Sequence, residues 1–100
     1  MIEIMNLRHG KPEYEYDVIV DRRSALGNPF SLKHEEDRDK ACDMYEEWFS
    51  KAKYLDRQHN MIVTLARIWK KHGKLRLWCW CAPKRCHAEV IKAWLEEVYD

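Results

Sequence analysis

The sequence predicts a small α/β protein: a three-stranded mixed sheet with helices packed on it, in the order β-β-α-α-β-α. Three observations predict it. Short β-branched or apolar stretches at 2–7, 16–21 and 75–81 are set off by glycine, proline or polar turns. Longer stretches at 37–55, 60–72 and 87–99 carry apolar residues at spacings of three and four. The interval between the second and third strands is long enough for a right-handed crossover that lays those two strands side by side in parallel.

The elements follow in order. The second strand, YDVIVD, has a β-branched centre. The segment RHGKPEYE before it contains Gly10 and Pro12 and is too short for a crossover helix, so the first two strands are expected to form an antiparallel hairpin. RRSALGNPFS, with Gly27, Asn28 and Pro29, reads as a loop. The first helix presents Ala41, Tyr45, Trp48, Ala52 and Leu55 on one face, and the second presents Ile62, Leu65, Ala66 and Trp69, with Gly73 placed to end it. LRLWCWC follows as a strand apolar on both faces, which favours burial of Trp78 and Trp80 alike. The last helix turns Ala88, Ile91, Trp94, Leu95 and Val98 inward. Parallel pairing of the second and third strands brings their carboxyl ends together, where open α/β sheets bind ligands, so a Rossmann-like crevice is expected there.

Composition limits what else the chain can be. With 100 residues, 46% of them hydrophobic, one core and a single domain over 1–100 are expected. No run approaches the ~20 apolar residues that span a bilayer, and MIEIMNLRHG lacks a signal-peptide pattern, so a cytoplasmic protein is expected. Thiols stay reduced there, so the four cysteines point to packing, metal or reactivity before disulfides. A net charge of +1 excludes a strong general attraction to nucleic acid or membrane. Locally, however, 70–87 holds six Lys or Arg and no acid, whereas HEEDRD and EEVYD are acidic. The bases form either a local anion site or solvated helix and strand ends.

Three cysteines and one histidine fall in LWCWCAPKRCH, and Cys42 stands apart. On a flat strand Cys79 and Cys81 face the same way with Cα atoms ~6.6 Å apart. A four-ligand zinc site brings neighbouring sulfurs within roughly 4 Å, so a metal-free site is favoured; if zinc is bound, its ligands are Cys79, Cys81, Cys86 and His87. Cys86 opens the last helix beside Lys84, Arg85 and His87, an environment expected to lower its pKa. Cys86 is then either a nucleophile or a buried inert thiol, and His87 either its base or the partner of a loop carbonyl. His9, His34, His59 and His72 sit in polar contexts and are expected to face solvent. In the loop, Arg22 or Arg23 can clamp a carboxylate or phosphate, Ser24 can donate, and Gly27 can let a ligand reach the backbone. Asn28 either aims its amide at a ligand or closes the turn, with Phe30 as anchor.

The VDRRSALGNPF loop, the DRDKACDMYEEWF helix and the closing LRLWCWCAPKRCHAEVI together resemble domain-of-unknown-function family 4326 over nearly the whole chain. The resemblance implies a small α/β protein, often encoded in phages or mobile elements, with no established activity. It singles out Arg22, Ser24, Gly27, Asn28, Pro29, Phe30, Cys81, Cys86 and His87.

These readings converge on a small anionic, nucleotide-like ligand held between 22–30 and 79–87. Arg22, Ser24, Gly27, Asn28, Phe30 and Cys81 are the binding candidates, and Cys86 and His87 the catalytic ones. Neither G-x-G-x-x-G nor a P-loop is present, which disfavours ordinary dinucleotides and triphosphates. No cofactor is expected apart from the zinc alternative, and turnover is left open. Two other classes compete: a zinc-stabilised interaction module, and a non-enzymatic phage protein that captures a host protein or sequesters a ligand.

Overall fold

The computed structural model describes residues 1–30, 34–82 and 84–99. Its elements are β1 (Ile2–Asn6), β2 (Asp17–Ile19), a 3-10 turn (Glu35–Asp37), α1 (Arg38–Ala52), α2 (Asp56–His72), β3 (Leu75–Cys79) and α3 (Ala88–Tyr99). Class and element order are those the sequence predicts. Ser31 at the end of the predicted loop, Pro83 in the cysteine segment and Asp100 lie outside the described residues. Among those described, no helix is long and apolar enough to cross a membrane.

The sheet is parallel throughout rather than mixed, in the order β1-β3-β2. Ile2 to Asn6 pair with Leu75 to Cys79, and Asp17 to Ile19 pair with Arg76 to Trp78. The expected hairpin does not form because β3 stands between its two halves. β3 is the most buried strand, and a parallel strand covered on both faces belongs in the middle of its sheet. The predicted parallel neighbours, the second and third strands, are indeed side by side.

Leu75, Leu77 and Cys79 join one apolar cluster with Tyr45 and Phe49 of α1, Ile62 and Leu65 of α2, and Ile91 and Leu95 of α3. Leu55 and Val98, assigned inward by their spacing, are instead exposed: Leu55 follows the last turn of α1, and Val98 lies in the final turn of α3. Trp78 is buried, whereas Trp80, past the end of β3, is half exposed, so burial holds for only one of the pair. α2 starts four residues before the predicted position, because its polar opening DRQHN has no apolar periodicity to reveal it. Gly73 ends it in the left-handed conformation with φ 66°.

The other face of the sheet has a different cover. Arg76 lies over the rings of Tyr14, Tyr16 and Trp78, at 5.5, 5.2 and 5.7 Å from their centroids, and pairs with the fully buried carboxylate of Asp17. Asp17 also accepts Trp78 Nε1–H at 3.0 Å and the Glu13 and Tyr14 N–H groups, each at 2.9 Å. Burial alone would raise this carboxyl, but the hydrogen bonds outweigh it and hold the pKa far below the usual range. Gly10 lies against the Trp78 ring, where a Cβ would come within 3.1 Å of it. The segment between β1 and β2 therefore folds across the sheet.

The loop after β2 is tied to the helices from below. Val20 and Leu26 are fully buried, Tyr45 Oη–H donates to the Leu26 carbonyl at 2.7 Å, and Gln58 Nε2–H reaches the Ala25 carbonyl at 3.3 Å. Tyr45→Phe should keep the fold and lose about 1–3 kcal/mol, the cost of an unpaired buried carbonyl. Urea unfolding of both proteins checks this; equal stabilities would show that the loop is held by packing alone.

Candidate functional site

β2 and β3 run parallel, so the segments that follow them start from one end of the sheet. A cavity of about 350 Å³ opens there, walled by Asp21, Arg22, Arg23, Asn28 and Phe30, by Cys79, Trp80 and Cys81, by Arg85, Cys86 and His87, and by Arg38, Ala41 and Cys42 of α1. Six of the predicted site residues, Arg22, Asn28, Phe30, Cys81, Cys86 and His87, thus meet around one space.

Ser24 and Gly27 are not part of that wall. Ser24 Oγ–H donates to the Asp21 carbonyl at 3.0 Å and tightens the turn. A Cβ on Gly27 would stand 2.6 Å from Arg22 Cα and 2.8 Å from the Asp21 carbonyl carbon. Glycine is therefore demanded by the chain's own backbone crossing itself. Asn28 closes the turn: its Oδ1 accepts the Phe30 N–H at 2.8 Å. Pro29 is exposed.

Asp21 organises the rim. Its buried carboxylate accepts from the Arg23 guanidinium at 2.7 Å, from the Arg23 N–H at 3.0 Å and from Trp80 Nε1–H at 3.1 Å. The Arg23 hydrogen bond outweighs burial and lowers the carboxyl to about 2. The bond also fixes the half-exposed indole of Trp80 at the mouth. Arg38 grips Glu35 through two nitrogens, at 2.7 and 2.9 Å, and Arg85 reaches Asp39 at 3.1 Å and Asp43 at 2.8 Å. Arg22 differs from these three. It donates to the Phe30 carbonyl at 3.1 Å and has no carboxylate partner among the described residues.

The sulfur chemistry departs from the sequence reading. β3 stops at Cys79, and Asn6 Nδ2–H pins the following turn by donating to the Ala82 carbonyl at 2.6 Å. Cys81 lies beyond the end of the strand and borders the cavity with Cys79 and Cys86. Cys79 Sγ and Cys86 Sγ lie 3.4 Å apart. Cys42, set apart in sequence, lines the same cavity, so all four cysteines of the chain border it.

The pKa of Cys86 is not lowered as expected. Its neighbouring thiols Cys79 and Cys81, and then burial, push its pKa up. The cations expected to lower it are spent elsewhere: Lys84 lies 3.6 Å from Glu35, and Arg85 faces Asp39 and Asp43. Its N–H is capped by Glu89 Oε2 at 2.9 Å, as in a capping box with cysteine in place of serine. Cys81 shifts the opposite way. Hydrogen bonds from Cys79 and Cys86 lower its pKa strongly against the opposing effect of burial, and Arg38 lowers it further. Burial raises Cys42.

His87 satisfies a loop carbonyl. Its Nε2–H donates to Val20 O, its ring meets Tyr45 edge-on at 5.2 Å, and burial pushes its pKa below the ordinary value. Among the described residues no group of three or more His, Cys, Asp or Glu side chains is placed to hold a metal ion. His9, His34, His59 and His72 are exposed, as expected.

Sequence reasoning missed Asp21, Arg38, Cys42 and Arg85. Arg38 sits within the acidic HEEDRD run, where its spacing from Glu35 reads as a solvated helix pair. The run of bases before His87 held the only signal for Arg85, without showing where that side chain points.

The chain belongs to the family described as Domain of unknown function (DUF4326), whose model matches residues 5–97. The resemblance seen in the sequence therefore holds. No match was found among curated proteins or among solved structures.

His87 and Asp21 both titrate lower in the folded protein than in the unfolded chain, so between the two values the unfolded chain binds more protons and acid favours it. Stability should be fully present above the ordinary histidine value of 6.5, fall as pH drops below it, and fall again below 3.8 as Asp21 and Asp17 are protonated. Urea midpoints measured across this range should show both steps. His87→Gln should be less stable at neutral pH and should lack the upper step; an unchanged upper step would assign it to another group.

Proposed function

We propose that this family member binds a small anionic, nucleotide-like ligand in the cavity at the carboxyl ends of β2 and β3. One observation supports the reading: four guanidinium groups border the space, and three are matched by carboxylates while Arg22 has none among the described residues. An arginine fork without a carboxylate partner suits a phosphate or carboxylate oxygen pair. Trp80, held by Asp21, and Phe30 supply flat apolar walls for a planar group. A volume of about 350 Å³ is at the small end of the range for ligand sites and suits a mononucleotide better than a dinucleotide. The first turn of α3 adds little to anion binding, because Glu89 already caps the Cys86 N–H.

Thermal melts and titration calorimetry with inorganic phosphate and nucleoside monophosphates test the reading. The parent protein should melt higher as ligand is added. Arg22→Ala should bind at least ~10-fold more weakly, in line with about 1–3 kcal/mol for a charge-assisted hydrogen bond. Lys51→Ala, on an exposed part of α1 beside a different groove, should respond like the parent. Identical responses from the parent and Arg22→Ala would overturn the assignment.

A further inference from the structure

We propose that Trp80 is a stacking platform for the heterocyclic base of the ligand, so that the cavity takes a nucleoside monophosphate rather than a sugar phosphate or a bare anion. This rests on the anion reading above and assigns the ligand's other end. The chain has five tryptophans, and four of them have a protein partner. Trp48 meets the Tyr45 ring at 5.4 Å, Trp94 meets the Phe49 ring at 6.1 Å, and Trp69 packs on the apolar cluster. Trp78 is 3% exposed, with the Arg76 guanidinium 5.7 Å from its ring centroid. Trp80 is 50% exposed, borders the cavity, and has no ring or cation stacked on it among the described residues.

Trp78 and Trp80 are held by the same device. Each indole N–H donates to a buried aspartate that is clamped by an arginine: Trp78 to Asp17, which pairs with Arg76, and Trp80 to Asp21, which pairs with Arg23. On Trp78 the protein adds its own cover, with Arg76 over the ring and Gly10 against it. On Trp80 the indole is fixed in the same way but borders the cavity. Holding a large aromatic side chain half exposed leaves apolar surface in water that the flat face of a ligand would bury. Asp21 already takes the indole N–H, so Trp80 offers its ring rather than a hydrogen bond. A cation would also suit an indole ring, but Arg22 borders the same cavity and opposes a cationic ligand. A neutral base carried on a phosphate suits both groups.

Titration calorimetry on the full chain compares adenosine monophosphate, ribose phosphate and adenosine, each with the parent protein, Trp80→Ala and Trp80→Phe. The parent should bind adenosine monophosphate at least about 10-fold more tightly than ribose phosphate, the gain from stacking one base on an aromatic ring. Trp80→Ala should bind those two alike while keeping the parent's affinity for ribose phosphate, and Trp80→Phe should keep part of the preference. Should Trp80→Ala fail to fold, the parent alone decides: the adenine ring protons should show nuclear Overhauser contacts to an indole, and Trp80 is the tryptophan that lines this cavity among the described residues. Equal affinity of the parent for adenosine monophosphate and ribose phosphate would overturn the platform and leave the anion reading standing. A preference that survives in Trp80→Ala would overturn the platform as well. Equal binding of adenosine and adenosine monophosphate, lost in Trp80→Ala, would keep Trp80 as the platform but overturn the anion reading and the monophosphate assignment with it. Binding of none of the three compounds would overturn both.

Discussion

β3 pairs in parallel with a strand on each side, and the rest of the structure depends on that constraint. Because all three strands point the same way, Asn6, Val20 and Cys79 arrive at one end of the sheet together. Leu7 N–H and Val20 N–H reach the carbonyls of Cys79 and Trp78 there, at 2.8 and 2.9 Å. The loop after β2 and the cysteine segment after β3 have no other place to go. α1 and α3 close over them, with Tyr45 and Ala88 buried beneath.

Much of this architecture was legible because it follows from local rules. Spacing of apolar residues found three helices, Gly73 marked the end of one, and the length of the crossover argued that β2 and β3 are parallel neighbours. What the sequence did not show depends on where side chains point in three dimensions. Nearness along the chain suggested a hairpin between the first two strands, yet the intervening segment is more useful as a cover, because Tyr14 and Tyr16 can stack on Arg76. Adjacency to Lys84 and Arg85 likewise suggested an activated Cys86. Both cations turn instead toward acids of the 3-10 turn and α1. Six of the candidate residues therefore border one cavity, while Cys86, expected to titrate low, is pushed up by its neighbouring thiols and by burial.

The cavity's charges are arranged in two tiers. Arg23, Arg38 and Arg85 are neutralised by carboxylates and act as fixed framework: they clamp the β2 loop and fasten the start of α1 to the turn before α3. Arg22 borders the same space with no carboxylate partner among the described residues.

The Asp17–Arg76 pair has a consequence for how the strands find one another. These two residues are direct partners in the β2–β3 register, and Asp17 has no exposed side-chain surface. Sliding β3 by one residue would turn Arg76 to the opposite face, beside Ile62 and Leu65, and would strip Asp17 of its guanidinium. A buried cation and a buried unpaired carboxylate would then appear at once, each costing several kcal/mol. A strand of only three residues has few backbone hydrogen bonds with which to enforce its own alignment. The ion pair does so for it, as a check that only one alignment passes.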